Sequence, residues 1–279
     1  MYQFAKDANS VSSRSGLVYT ELETTYQQGR TPFMKSLWIL SLAMFSLAVS
    51  AHQLATLIPQ IKPSVVAIAL YNPTAAPRLK LIGSGFAVSP GNQIVTNYHV
   101  VSKAPDESKN ERYVVLSGHG QNPTIHSIVA RKDDPIHDLA VLKIAESLPA
   151  LKLAEDETAE GTLLAFTGYP ITGVLGLYPA THQATLSAIT PVAIPQDNSK
   201  LLNPATLRQL QQPFMVYQLD GTAYPGNSGS ALYRQEDGAV VAVINMVLVK
   251  GSREAVLSDP SGIAYAIPIV HLQKLLAKP

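Results

Sequence analysis

Three short segments of the sequence carry residue types that could together attack a carbonyl carbon. Ser228 lies between two glycines in "YPGNSGSAL" (Tyr224–Leu232), His99 lies in "IVTNYHVV", and Asp138 lies in "DDPIHDLAVLKI". A hydroxyl that attacks needs a base near neutral pH, which histidine supplies, and a carboxylate that orients the imidazole. It also needs donors for the oxyanion that forms, and backbone N–H groups serve without reorganisation.

The turn around Ser228 could supply those donors. Its flanking glycines allow successive N–H groups to point the same way, so we expect Gly226 and Ser228 to form an oxyanion hole with Asn227 between them. A plain Gly-Asn turn without catalytic duty fits the same residues. The serine alone therefore does not decide between the two interpretations.

His99 follows directly after a strand-like run, where a short helical turn could begin. Its nearest rival is His137, which adjoins Asp138. Neighbours on an extended segment point to opposite faces, so His137 is poorly placed to pair with Asp138. The remaining histidines lie in no comparable context: His52, His119, His126, His182 and His271.

The candidate carboxylate, Asp138, stands at the entry to the apolar run "LAVLKI". A half-buried carboxylate can be held at such a position, although a cap at the start of a strand would look the same. Asp133 and Asp134 precede Pro135, and we expect them to be solvated turn residues.

The composition narrows the possible functions. The 279 residues include 46% hydrophobic and 15% charged residues, and the net charge is +1 with no basic tract. Nucleic-acid binding therefore has no electrostatic support. The sequence has no cysteine, which excludes disulfides, thiolate chemistry and cysteine-based metal sites.

The N-terminal segment resembles an export signal. Residues 1–33 are polar without an apolar period, so we expect a disordered extension, and translation beginning at Met34. Residues 34–51 combine Lys35, a short apolar run and small residues at the cleavage positions, as in a secretory signal peptide. The mature domain would then be 52–279, periplasmic or secreted; the alternative is an uncleaved membrane anchor.

Most of the mature chain predicts short strands. Apolar, β-branched runs separated by turn signals favour an all-β fold, with one helix near the start and a short C-terminal helix after Pro268. A polar link at 153–162 divides the strands into two groups, so we expect two antiparallel barrels, at about 60–155 and 156–267. The chain order His99, Asp138, Ser228 is the order of the chymotrypsin type, which would place the chemistry in the cleft between the barrels.

Four segments together resemble trypsin-like serine proteases of the HtrA (Deg) type. They are "GSGFAVSPGNQIVTNYHVV", "DLAVLKI", "PGNSGSAL" and "GIAYAIPIVHLQKLL", in the family's order. The resemblance implies two chymotrypsin-like barrels and endopeptidase activity on extracytoplasmic, often misfolded, polypeptides. It implies no metal and no organic cofactor. Because the chain stops after the closing helix, we expect no PDZ domain. The resemblance does not fix an oligomeric state.

The same resemblance implies a pocket for the residue before the scissile bond. Its expected lining is Thr222, Ala223, Ile244, Asn245 and Ala264, with a small or apolar preference because no carboxylate falls at its base. Digestive relatives are activated when a new N-terminal amine pairs with an acid beside the serine. Asn227 stands there instead, so we expect activity without removal of a pro-peptide.

Two functions of other classes remain open at this point. One is a protease-like chaperone or binding protein of the cell envelope whose triad is silent. The other is a structural or adhesive envelope protein that only uses the fold. The full set of serine, histidine and aspartate favours the peptidase over both.

Overall fold

The computed structural model describes residues 53–170, 176–192, 213–246 and 262–278. The expected extension and signal peptide lie outside the described residues. A helix, α1, covers residues 53–61 and continues into a turn of 3-10 helix at Lys62–Ser64. No helix in the described part of the chain is long and apolar enough to cross a membrane.

Six antiparallel strands close the first barrel in the order β1-β2-β3-β6-β5-β4. A one-turn helix, α2 (Tyr98–Val101), and a 3-10 turn (Glu107–Lys109) separate β3 from β4. The strands are β1 (Val65–Tyr71), β2 (Leu79–Val88), β3 (Gln93–Asn97), β4 (Arg112–Ser117), β5 (Thr124–Asp134) and β6 (Leu139–Ile144).

The second barrel repeats this strand order, with β10-β11-β12-β9-β8-β7 around its closed sheet. A C-terminal helix, α3 (Ile269–Ala277), follows its last strand. The strands are β7 (Leu163–Gly168), β8 (Ala180–Pro191), β9 (Met215–Asp220), β10 (Ala231–Arg234), β11 (Val240–Asn245) and β12 (Ile263–Pro268). The predicted all-β fold of two chymotrypsin-like barrels with a short C-terminal helix is confirmed.

Hydrophobic burial fixes the barrels and their mutual position. One cluster of buried side chains fills each barrel, and a third joins residues of both barrels to the apolar faces of α1 and α3. Tyr169 and Tyr233 of the second barrel and Phe86 of the first are almost fully buried in this shared cluster. The shared core holds the two barrels together, so that loops from both can meet at one site.

Strand register sets where those loops emerge. β3 pairs with β6 so that Asn97 lies opposite Leu139, the first residue of β6. The residues just after β3 and just before β6 are therefore neighbours. The turn from Gly221 to Ser230 joins β9 to β10 and approaches the same edge, where the Ser84 N–H donates to the Ser228 carbonyl at 2.8 Å.

Candidate active site

His99 is positioned by the end of β3. The strand stops at Asn97, and α2 carries His99 on its only turn. The Tyr98 N–H donates to the Asp138 carbonyl at 3.1 Å, and the Asn97 side-chain amide donates to the same oxygen. These bonds join the start of α2 to the residue before β6.

The Asp138 carboxylate contacts His99 at two points. Oδ1 accepts the His99 backbone N–H at 2.7 Å, and Oδ2 lies 2.6 Å from the ring Nδ1. A carboxylate at that distance keeps the proton on Nδ1, which leaves the lone pair of Nε2 facing outward. Side-chain exposure of 23% for His99 and 16% for Asp138 leaves this pair partly shielded from water.

Asp138 occupies an unusual backbone conformation. Its φ of 51° lies in the left-handed region, which Asp and Asn tolerate better than most residues. Strain of this kind persists where the surroundings determine it. Here the Asp138 carbonyl and both carboxylate oxygens accept hydrogen bonds, and these hold the residue in place.

Ser228, from the second barrel, contacts the ring nitrogen of His99 that does not face Asp138. Its Oγ lies 3.0 Å from His99 Nε2, and the residue is only 5% exposed. Gly229 follows with a φ of 89°, and its N–H donates to the Ile244 carbonyl. A Cβ at Gly229 would lie 2.1 Å from the Ser84 carbonyl oxygen, so only glycine fits this turn.

Two backbone donors beside Ser228 are available for an anion. Within the described residues, the N–H groups of Gly226 and Ser228 have no acceptor. The Asn227 N–H donates to the Tyr224 carbonyl at 2.9 Å, so it supplies no donor to an oxyanion. The two N–H groups expected to form an oxyanion hole, those of Gly226 and Ser228, are therefore the ones left without an acceptor in the described part of the turn.

A family match follows the same stretch of chain. Residues 83–243, which include His99, Asp138 and Ser228, match the family described as "Trypsin-like peptidase domain". The chain belongs to the trypsin-like peptidase family. The match begins at the "GSGF" segment of β2 and ends in β11, so it spans both barrels of the peptidase fold.

Several curated relatives of this trypsin-like peptidase chain are named as serine proteases. A "Probable periplasmic serine endoprotease DegP-like" of Halomonas elongata is 30% identical over 67% of this chain and 33% of its own length. "Serine protease HTRA4" of Homo sapiens is 29% identical over 81% of this chain and 41% of its own. The peptidase chain thus spans about a third to two-fifths of the length of these two relatives.

Solved structures support the same fold. The HtrA-type protease AlgW, solved with a tripeptide, is 26% identical to this peptidase with a TM-score of 0.55, covering 80% of this chain and 62% of its own. Deg5 is 24% identical with a TM-score of 0.55, covering 80% of this chain and 92% of its own. The predicted resemblance to HtrA-type proteases is confirmed.

The sequence did not reveal the position of the Asn245 side chain. We expected it in the substrate pocket, but Asn245 is 1% exposed and its amide donates to Asp138 Oδ2 at 2.7 Å. Asn245 is the last residue of β11, where its side chain faces the His99–Asp138 pair instead of a bound substrate. No local signal in the apolar run "VVAVINM" indicates that Asn245 contacts Asp138. The contact arises only because the two barrels pack against each other.

The other expected pocket residues lie in or beside the second barrel. Ala223, Ile244 and Ala264 share one buried cluster, and Thr222 precedes them, partly buried, in the turn after β9. Asp220, the carboxylate nearest to them in the sequence, is exposed at the end of β9 and pairs with Ile263 of β12. The structure thus brings three of the expected residues together.

Asp134 differs from expectation. Predicted as a solvated turn residue, it is 8% exposed at the end of β5, and its carboxylate accepts from the His137 N–H and lies 2.7 Å from His137 Nδ1. Burial raises the pKa of Asp134, but hydrogen bonds from His137 outweigh it and the pKa is lowered. The turn at Pro135 folds back on β5, so the sequence signal for a turn did not mean exposure.

A second Ser-His-acid set lies in the first barrel. Ser117 Oγ is 2.8 Å from His126 Nε2, and His126 Nδ1 is 3.0 Å from Glu146 Oε2. Ser117 ends strand β4 opposite Thr124, and the turn after it contains Gly118 and Gly120, both with positive φ. This set lies within the first barrel, whereas Ser228 and His99 come from different barrels.

Metal chemistry has no visible support in the described part of the chain. No group of three or more His, Asp or Glu side chains there is placed to hold an ion. The candidate site therefore consists of His99, Asp138, Ser228, the amide of Asn245 and the two backbone donors.

Proposed function

We propose that the chain is a serine endopeptidase that hydrolyses peptide bonds of extracytoplasmic proteins. One observation carries the proposal: the His99 ring lies between Asp138 Oδ2, at 2.6 Å, and Ser228 Oγ, at 3.0 Å. These distances suit proton transfer from hydroxyl to imidazole. Because the chain spans only part of its relatives, the activity itself is part of the proposal.

In the first half of the reaction, Ser228 Oγ attacks the carbonyl carbon while its proton passes to His99 Nε2. The Asp138 carboxylate stabilises the imidazolium through Nδ1. The oxyanion accepts hydrogen bonds from the Gly226 and Ser228 N–H groups, which need no reorganisation. His99 then gives its proton to the leaving amine, and the acyl group stays on Ser228.

The second half reverses the roles. A water molecule attacks the acyl carbon and gives a proton to His99 Nε2, while the same two N–H groups bind the new oxyanion. The tetrahedral intermediate collapses, the proton returns to Ser228 Oγ, and the carboxylic acid leaves. Ser228, His99 and the donors end as they began, so no cofactor is consumed.

The proposed substrate class and location rest on the expected signal peptide and on the named relatives. Residues 34–51 would direct export, and the Halomonas elongata relative is named as a periplasmic endoprotease. Thr222 and Ala223, with Ile244 and Ala264, would line a pocket without a charged group, which suits small or apolar residues before the scissile bond. We propose unfolded exported polypeptides as substrates.

Hydrolysis of an unfolded protein tests the proposal. Purified chain should degrade reduced casein, and Ser228→Ala should lower kcat by more than about 10⁴-fold, since members of such a set act as one unit. Ser117→Ala is the matched control, because it removes a hydroxyl that also contacts a histidine Nε2 but lies in strand β4, outside the turn that carries the Gly226 and Ser228 N–H groups, and it should retain activity. A chain that binds casein without cleaving it would instead support the silent chaperone.

A further inference from the structure

The hydroxyl of Ser84 contacts the turn that carries the oxyanion donors. Ser84 lies in β2 of the first barrel and is fully buried. Its Oγ donates to the Gly226 carbonyl at 2.7 Å and accepts the Tyr169 N–H at 2.8 Å. Its N–H donates to the Ser228 carbonyl at 2.8 Å. Ser84, a residue of the first barrel, thus holds two carbonyls in the turn of the second barrel that carries Ser228.

Among the described residues, the Ser84 hydroxyl is the one donor to the carbonyl of the Gly226–Asn227 peptide unit. Gly226 has no side chain and a φ of 99°, so its intrinsic preferences leave the turn free to rotate. The Gly226–Asn227 unit is held by the Ser84 hydroxyl at its carbonyl and by the Tyr224 carbonyl at its N–H. Its orientation sets the directions of the Gly226 and Ser228 N–H groups on either side.

The Asn227 side chain does not take over this task. It is fully buried, and neither its Oδ1 nor its Nδ2 has a partner among the described residues. Among the described residues, the Ser84 hydroxyl is therefore the side-chain group that holds the Gly226 carbonyl. The Ser84 carbonyl accepts a hydrogen bond from Thr96 Oγ1 at 2.7 Å, and this bond anchors Ser84 within the first barrel.

We propose that Ser84 is a positioning residue that holds the Gly226 and Ser228 N–H groups convergent on the developing oxyanion. This inference rests on the proposed peptidase function and names one structural source of its rate. The active turn is kept in place by a neutral hydroxyl from the other barrel. No charged partner to residue 227 is required.

The test compares two buried serines that flank the same turn. Ser84→Ala removes the bonding hydroxyl. Ser230→Ala removes a hydroxyl that is equally buried but has no partner among the described residues. Titration of active sites with a fluorophosphonate counts the competent molecules, so that kcat is expressed per folded site even when a variant folds poorly.

We expect Ser84→Ala to lower kcat by about 10- to 100-fold with KM within about threefold, because only transition-state binding is lost. A peptide aldehyde, whose adduct carries an oxyanion, should lose affinity by the same factor. The pH profile should stay that of the unsubstituted chain, since His99 and Asp138 are untouched. Ser84→Thr, which keeps a hydroxyl, should recover most of kcat.

The failures are distinguishable. An unsubstituted chain without hydrolysis removes the proposed function, and the positioning role with it. An active chain in which Ser84→Ala and Ser230→Ala share the same kcat per site and the same aldehyde affinity overturns the role of Ser84 alone. A change confined to KM, or no recovery in Ser84→Thr, also overturns it.

Discussion

The side-chain amide of Asn245 donates to Oδ2 of Asp138 at 2.7 Å, the same oxygen that lies 2.6 Å from the His99 ring. The carboxylate oxygen thus has donors from both barrels, because His99 belongs to the first and Asn245 to the second. Hydrogen bonds to charged groups contribute more than neutral ones, and this one also fixes the plane of the carboxylate.

Replacing Asn245 should therefore weaken the site without dismantling it. Asn245→Ala removes one donor from Asp138 Oδ2, and we expect kcat/KM to fall about tenfold, as for a hydrogen bond to a charged group. Asn245→Asp should be worse, because two carboxylates in contact cannot both ionise without large cost. Initial rates on one peptide measure both; equal rates in Asn245→Ala and the unsubstituted chain would refute the contribution.

The Asp138→Asn variant should keep the fold but lose most of its catalytic activity. Asn tolerates the left-handed backbone that residue 138 adopts, and its remaining oxygen can still accept the His99 N–H. The new NH₂ group then faces His99 Nδ1 and forces the wrong tautomer, so we expect kcat to fall roughly 10⁴-fold. Unchanged thermal unfolding with near-normal kcat would show that Asp138 is not the orienting carboxylate.

Alanine substitutions at two glycines with positive φ distinguish the cost of a steric clash from the cost of backbone strain. Gly229→Ala places a Cβ 2.1 Å from a backbone oxygen, whereas Gly161→Ala meets nothing within 4 Å, and their φ values are 89° and 87°. We expect Gly229→Ala to lower the free energy of unfolding by about 3–4 kcal/mol and abolish activity, but Gly161→Ala to cost only about 1 kcal/mol.

Urea unfolding of both glycine variants measures the difference. The matched φ values mean that the backbone penalty is shared, so any excess in Gly229→Ala reports the contact with Ser84. Equal losses in the two variants would show that the nucleophile turn has room that the structure does not give it.

Acid should destabilise the fold through a half-buried histidine, His271. Burial, together with the nearby His137, stacked at 4.0 Å, and Lys274, lowers the pKa of His271 to about 4. The unfolded chain gains this proton near pH 6.5 and the folded chain only near pH 4, so the free energy of unfolding falls as pH drops through that window. Because the ring is partly exposed, we expect a loss of about 1–2 kcal/mol.

Chemical unfolding at several pH values, with His271→Gln as comparison, checks this slope. The variant has no histidine at that position to titrate, so its free energy of unfolding should depend less on pH between 6.5 and 4. Parallel curves for the two proteins would mean that His271 is protonated equally in both states.

The strands were predictable because their apolar runs and turn signals are local. The apolar runs that start at Val65, Leu139 and Val240 all form strands in the structure, and the expectation of two barrels came from the number and grouping of such runs. The sequence also predicted that His99, Asp138 and Ser228 would meet, and the distances are short. Their catalytic role stays a prediction.

The supporting contacts could not be predicted, because they join distant parts of the chain. Ser84 and Gly226 are 142 positions apart, and Asp138 and Asn245 are 107 positions apart. Each pair forms only when the barrels dock through their shared core. Ser84 and Asn245 look like ordinary strand residues in the sequence, since neither a turn nor a charge pattern marks them.

Covalent labelling by a fluorophosphonate, followed by peptide mass mapping, tests the central claim most directly. The reagent reacts with a serine whose proton a neighbouring base accepts and whose adduct oxygen finds N–H donors. We predict one adduct on Ser228, absent in Ser228→Ala and strongly slowed in His99→Ala, with Ser117 unlabelled. A folded chain that takes up no label, or that takes it on another serine, would contradict the account.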